Sequence, residues 1–348
     1  MASEGFKELA YTLINNSAQK KYKSNNKNMD MDIPDGVHTV LVTPFLADLT
    51  IDYTCIDKWL KYQHDSQVTG LVIMGTTSES PTISRTEQFE VIKYIYELNK
   101  TYTKPKYITV GVGGNDTIET LEFAKSCIEF TDAFMVTVPS YNKPTQNGLV
   151  QHFLKICSNE LIKSKPIILY NVPGRTGINM SPETMLEITE HCTNVVAVKE
   201  ASGSIEQLIN LRSMVPKLKV FSGDDNLFID FMVHGGSGLI SVASNIIPKI
   251  IVFMINLCIK NNYSEASEFY YTIKFNEFVK SVFCESNPIP IKFMLYTEKI
   301  YNNYLMRLPL TSLDYKYHGL VCDSLKIMRI ERAIDEYTLY REGTKYLW

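Results

Sequence analysis

The sequence predicts an α/β protein of the (β/α)8 barrel type, with a helical region appended after the eighth unit. Three observations carry this. Eight short, β-branched, apolar runs recur between residues 37 and 244. They are nearly continuous in hydrophobicity rather than alternating, as parallel strands covered on both faces are. Amphipathic segments of helical period separate them, so the pattern is strand–helix repeated, the signature of a parallel sheet. A doubly wound sheet is the rival, but the first run ends in "VTPF" with no GxGxxG turn.

The eight runs are "VHTVLVTP" (37–44), "GLVIMG" (70–75), "YITVGVG" (107–113), "AFMVTVP" (133–139), "PIILYNVP" (166–173), "VVAVKE" (195–200), "LKVFSGDD" (218–225) and "GLISVAS" (238–244). Between them, "DYTCIDKWLKYQHD" (52–65) and "TEQFEVIKYIYELNK" (86–100) read as helices. "SPETMLEITEHC" (181–192) opens with Ser181 as N-cap and Pro182 at the first helical position, where a missing N–H costs nothing. Residues 246–284 and 289–346 read as helical, including "IIPKIIVFMINLCIK" and "IKFMLYTEKIYNNYL". Residues 1–34 are polar and rich in Asn and Lys, which predicts a flexible extension with a short helix at 6–14. The expected organisation is thus extension 1–34, barrel 35–245 and helical region 246–348.

Composition excludes several classes. The chain has 348 residues, with 35 Lys+Arg against 38 Asp+Glu, a net charge of −3 that calls for no nucleic acid or anionic membrane as partner. No apolar run reaches the length of a membrane span, and "MASEGFKELA" lacks the basic and apolar regions of a signal peptide. The seven cysteines are widely spaced with no CxxC pair, and the histidines form no HExxH cluster. That predicts reduced thiols in a cytoplasmic setting and no metal site.

In a barrel, side chains at the C-terminal strand ends converge on one mouth, so those ends are where a site is sought. They offer Thr76, Thr77 and Glu79 after the second run; Tyr141 after the fourth; Tyr170, Asn171 and Arg175 after the fifth; Lys199 and Glu200 on the sixth; "SGDD" after the seventh. A lysine amine adds to a ketone to give a Schiff base, an electron sink for carbon–carbon chemistry. It must be neutral to attack, and at a reference pKa of ~10.4 roughly one in two thousand is neutral at pH 7. The apolar "VVAV" before Lys199 supplies surroundings that lower that value. Tyrosine and threonine hydroxyls can relay protons, and an arginine fork can grip a carboxylate. Each residue also has a plainer reading. Lys199 could mark where a strand meets water, Tyr170 could be one of many core tyrosines, Thr76 and Thr77 a strand terminus, Arg175 a surface charge. "GVGGN" (111–115) matches neither a P-loop nor a dinucleotide fingerprint.

Taken together, "GTTSES", "VPSYNKPTQNGLVQHF", "ILYNVPGRTG", "VVAVKEASG", "FSGDD", "GLISVASN" and "NPIPIK" resemble, in order and spacing, the dihydrodipicolinate synthase/N-acetylneuraminate lyase family of class I aldolases. The resemblance spans about residues 35–309 and implies a TIM barrel with C-terminal helices. It implies that Lys199 forms the imine with pyruvate, that Tyr170 gives and takes the proton, and that Thr76 and Tyr141 complete the relay, Tyr141 from a neighbouring subunit. It also implies that Thr77, Ile240 and Gly223 contact substrate and that Arg175 binds the carboxylate of L-aspartate 4-semialdehyde. "RTG" and "NPIPIK" resemble the synthase branch. The expected partners are therefore pyruvate and an aldehyde, in a homo-oligomer assembled as a dimer of dimers. No cofactor is expected beyond the covalent lysine imine. The alternatives are an aldolase of the same family acting on a 2-keto-3-deoxy sugar acid or N-acetylneuraminate, and a non-catalytic binding protein on the same barrel. Three positions depart from the family pattern: Ser78 replaces a glycine, Ser140 a tyrosine, and Arg85 a regulatory position that is often histidine. If the Ser78 position needs a positive φ, serine strains the loop or the loop differs. Ser140 and Arg85 bear on the dimer interface and on the lysine feedback pocket of regulated members.

Overall fold

The eight apolar runs form eight parallel strands that close in sequence order into a barrel, in a computed structural model that describes residues 31–341. The strands are β1 (Gly36–Val40), β2 (Gly70–Ile73), β3 (Tyr107–Val112), β4 (Ala133–Thr137), β5 (Ile167–Asn171), β6 (Val195–Glu200), β7 (Lys219–Ser222) and β8 (Gly238–Ser241). Each lies inside its predicted run except β1, which starts one residue earlier at Gly36, and nearly every strand residue is buried, as continuous hydrophobicity requires. The polar extension expected over residues 1–34, with its helix at 6–14, lies outside the described residues apart from 31–34.

The chain divides into two compact units, one of Ile83–Val220 with the segment up to Pro34, the other of Asp35–Thr82 with Phe221 onward. In the first unit, β3 to β6 pair in register, with Thr137 opposite Tyr170, Tyr170 opposite Lys199, and Asn171 opposite Glu200. Its helices start where local chemistry says they should. Ser84 and Glu87 form a reciprocal capping box at Arg85–Asn99. Asp116 caps Thr117–Ser126, Thr145 caps Gln146–Cys157, and Ser204 caps Ile205–Met214. Ser181 accepts from the Thr184 N–H, with Pro182 first in the helix Pro182–His191, as predicted.

In the second unit, β1 pairs with β2 and β8. Gly238 sits opposite Gly36 at φ +154°, and a Cβ there would lie 2.1 Å from the Gly36 carbonyl oxygen, so only glycine fits. After β8 a turn at Ala243–Asn245 leads into helices Pro248–Ile259, Tyr263–Thr272, Phe275–Val282, Ile289–Thr297 and His318–Arg341. Asn245 fastens this junction, accepting from Trp59 Nε1 (2.7 Å) and donating to the Val40 carbonyl (2.9 Å).

One helix is shorter than expected. "IKFMLYTEKIYNNYL" reads as helical through residue 305, but the helix ends at Thr297 and the chain turns at Lys299, φ +60°. Asn302 and Asn303 spend their amides elsewhere, on Asp52 Oδ2 (3.2 Å) and the Phe45 carbonyl (2.8 Å), and Tyr301 donates its hydroxyl to the Val42 carbonyl. Asparagine competes with helix hydrogen bonds in this way, and here tertiary partners decide the outcome.

Candidate active site

Two strand ends in the first unit bring Lys199 and Tyr170 together. They are register partners, so strand alternation places them on the same face, with Asn171 and Glu200 on the other. Both side chains are buried, 6% and 4% exposed, and Lys199 Nζ lies 4.3 Å from the centroid of the Tyr170 ring. Among the described residues Lys199 pairs with no carboxylate. A buried lysine amine at a barrel strand end, beside a phenol that can move protons, is placed for nucleophilic work.

Behind this pair lies a polar layer that sequence reasoning did not assemble. Glu200 is fully buried and accepts from Asn171 Nδ2 (3.1 and 3.0 Å), Gln207 Nε2 (2.8 Å) and the Ser202 N–H (2.7 Å). Burial pushes its carboxyl above the usual range, and these donors oppose that shift. Its signal was one residue of strand alternation: where Lys199 points one way, Glu200 must point the other.

Arg175 stands exposed on the short helix Pro173–Thr176 that follows β5. Gly177 ends that helix at φ +73°, and Thr176 Oγ1 donates to the Val172 and Ile178 carbonyls (3.1 and 2.9 Å), which makes the turn rigid from within. Tyr141 follows β4 at φ +61° and is 88% exposed. Neighbouring Ser140 donates its N–H to Asn115 Oδ1 (3.0 Å). Arg85 reaches Glu119 (3.1 Å), Gln88 Oε1 (2.9 Å) and the Gly113 carbonyl (3.3 Å), with its guanidinium over the Phe123 ring.

In the second unit, the chain leaves β2 through a 3-10 turn, Thr76–Ser78. Thr77 is buried and its hydroxyl accepts from Asn287 Nδ2 (2.9 Å), the first residue of "NPIPIK". Ser78 keeps φ out of the left-handed region; that conformation falls on Glu79, φ +57°. The strain that a serine in place of glycine could bring is absent, and its Oγ donates to the Leu41 carbonyl (2.8 Å). Glu79 and Lys292, the last residue of "NPIPIK", form a fully buried ion pair, with the Arg307 N–H also on the carboxylate (3.3 Å). Burial pulls the Lys292 amine down to about 8, and Glu79 resists that shift. Ile240 is buried on β8, and Gly223 follows β7, half-buried. Each sequence-predicted residue of this unit therefore stands on, or just beyond, the C-terminal part of its strand. Among the described residues no three His, Cys, Asp or Glu side chains gather as a metal site.

Comparison with known proteins places the chain in a family. The sequence profile described as the Dihydrodipicolinate synthetase family matches residues 33–328. A 4-hydroxy-tetrahydrodipicolinate synthase of Endomicrobium trichonymphae is 42% identical over 258 residues, 74% of this chain and 86% of the relative. The solved structure of the 4-hydroxy-tetrahydrodipicolinate synthase from Methylacidiphilum fumariolicum superposes with a TM-score of 0.82 at 30% identity, covering 88% of this chain and 99% of that one. A structure titled as the first monomeric dihydrodipicolinate synthase variant superposes at 0.80 and 33% identity, covering 84% and 96%. The chain belongs to the dihydrodipicolinate synthetase family and is an enzyme of the aldolase-type lyase class.

Proposed function

We propose that this enzyme condenses pyruvate with L-aspartate 4-semialdehyde through an imine on Lys199. The observation that carries the proposal is the buried Lys199 amine against Tyr170, with no carboxylate paired to it among the described residues. The amine attacks the pyruvate ketone, and loss of water leaves an imine. Removal of a methyl proton gives an enamine, whose carbon adds to the aldehyde. The amino group of the second substrate then attacks the imine carbon, closes the ring and frees Lys199. The net change is one carbon–carbon bond, one ring and one water released, giving 4-hydroxy-tetrahydrodipicolinate, a product of lysine biosynthesis. Tyr170, Thr76 and Tyr141 move the protons. Thr77, Ile240 and Gly223 seat pyruvate, and Arg175 holds the carboxylate of the aldehyde substrate. The imine itself is the electron sink, so the reaction calls for no cofactor.

In this reading residues 35–245 form the catalytic barrel and 246–348 its helical appendage. Tyr141, exposed and backbone-strained in its own chain, serves a second copy, in a dimer that pairs into a tetramer. Seven free cysteines suit a reducing cytoplasm; no helix among the described residues is long and apolar enough to cross a membrane. The test is turnover of pyruvate with a panel of aldehydes. L-aspartate 4-semialdehyde should give the cyclic product, while D-glyceraldehyde and N-acetylmannosamine should give none. Turnover of a sugar aldehyde in its place would move the enzyme to the other branch of the family.

A further inference from the structure

The buried carboxylate of Glu200 has no part in the chemistry above, yet it is the acceptor on which a closed ring of side chains converges. Asn171 Nδ2 donates to Glu200 and to Asn179 Oδ1 (2.7 Å). Asn179 Nδ2 donates to Gln207 Oε1 (2.6 Å), and Gln207 Nε2 donates back to Glu200 (2.8 Å). The Met180 N–H donates to Asn171 Oδ1 (3.0 Å), which fixes the orientation of that amide and turns its NH2 toward the carboxylate. Every contact that Glu200 receives is from a donor, so the ring is satisfied by a carboxylate and by no neutral side chain of the same shape.

The placement of the ring matters more than its strength. Asn171 immediately precedes the excursion 172–178 that carries Arg175; Asn179 and Met180 immediately follow it. One carboxylate thus holds both ends of that excursion. The same carboxylate belongs to the residue after Lys199, and Asn171 is the residue after Tyr170. Gln146 adds a brace from the helix Gln146–Cys157, donating to the Asn179 carbonyl (2.8 Å) and accepting from the Ser181 N–H (3.1 Å). The two ends of the excursion are therefore referred to one point on the imine-bearing strand.

We propose that Glu200 is a positioning residue that sets the Arg175 turn relative to Lys199, so that the second substrate is offered to the imine in one geometry. The proposal rests on the assignment of Lys199 and Arg175 above. Misplacement of a binding group by about 1 Å is enough to cost up to ~100-fold in rate. Glu200→Gln keeps the shape but sets an amide NH2 against donors. A partner swap, Glu200→Gln with Gln207→Glu, returns the carboxylate to the ring and lets the new amide donate to it.

The test combines steady-state kinetics with hydrogen exchange on the whole protein. In Glu200→Gln the imine with pyruvate still forms and the KM for pyruvate changes less than about twofold. The KM for the aldehyde rises about tenfold, of the order expected when a charged acceptor is lost from a positioning network. Peptides spanning 172–180 exchange faster while those of β3 and β4 do not, and the swap recovers most of both effects. Equal losses for pyruvate and aldehyde, or uniform acceleration of exchange, would show a purely structural role and overturn the proposal. So would an unchanged KM and unchanged exchange. If Glu200→Gln does not fold, Gln207→Ala removes one donor and the bridge to Asn179 and is read the same way. If wild-type enzyme does not turn over aspartate semialdehyde, the substrate assignment fails; the exchange result for 172–180 still decides whether Glu200 holds the turn.

Discussion

Lys199 and Tyr170 show how far a single pair of residues constrains chemistry. Lys199 is buried against the Tyr170 ring face and pairs with no carboxylate among the described residues. Its neighbour Glu200, one residue on and also buried, accepts from Asn171, Ser202 and Gln207 and has no place in the proposed chemistry beyond positioning. Two ionisable side chains adjacent in sequence thus take different work because a strand turns them to opposite faces. In the proposed reaction Arg175 is the residue that tells the two substrates apart. Arg175→Ala should leave imine formation intact and lower kcat/KM for aspartate semialdehyde by about 2–4 kcal/mol, the loss of a charge-assisted pair. Steady-state kinetics with each substrate varied in turn checks this. A mutant that handles the aldehyde as well as wild type would remove Arg175 from recognition.

At the scale of elements, the turn after β2 is held from a distance. Thr77 takes a hydrogen bond from Asn287, and Glu79 takes its ion pair from Lys292, both on "NPIPIK" and both more than two hundred residues away in sequence. Lys292 also donates to the Leu305 carbonyl (3.0 Å) and lies over the Phe45 ring, 4.2 Å from its centroid. Removing one member of such a pair strands the other in a dry site. Lys292→Met should destabilise the fold by about 3–5 kcal/mol in urea titration. Adding Glu79→Gln should recover part of that; a double variant no better than the single would mean the pair is not the cause.

Strands and helix starts were legible because their causes are local: β-branched runs, Ser84 with Glu87, Ser181 with Pro182. Lys199, Tyr170 and the residues at the other strand ends were legible for the same reason, once strand order placed them. The Thr297 helix end, the Glu79–Lys292 pair and the ring around Glu200 were not, because each depends on partners that only the folded chain supplies. At Ser78 the sequence set only a condition, strain if φ were positive there, and the folded chain answers it by placing the left-handed residue at Glu79.

The eight strands close into a parallel barrel, and the proposed two-fold assembly is what would give Tyr141 its role. A tyrosine 88% exposed and held at positive φ is costly in a lone chain and sensible at a two-fold interface. Mixing inactive Tyr141→Phe with inactive Lys199→Ala, and letting subunits exchange, should return part of the activity, since some hybrids hold Lys199 in one chain and Tyr141 in the other. Hybrids that form but stay inactive would place Tyr141 in its own subunit's site or outside the reaction. The covalent step leaves a mark that can be read on the protein itself. Incubate the enzyme with pyruvate, reduce with borohydride, digest, and locate the adduct by mass spectrometry. One modified peptide is expected, the one containing Lys199, and it should be lost in a folded Lys199→Ala variant. No adduct, or an adduct on any other lysine, would contradict the covalent step at Lys199.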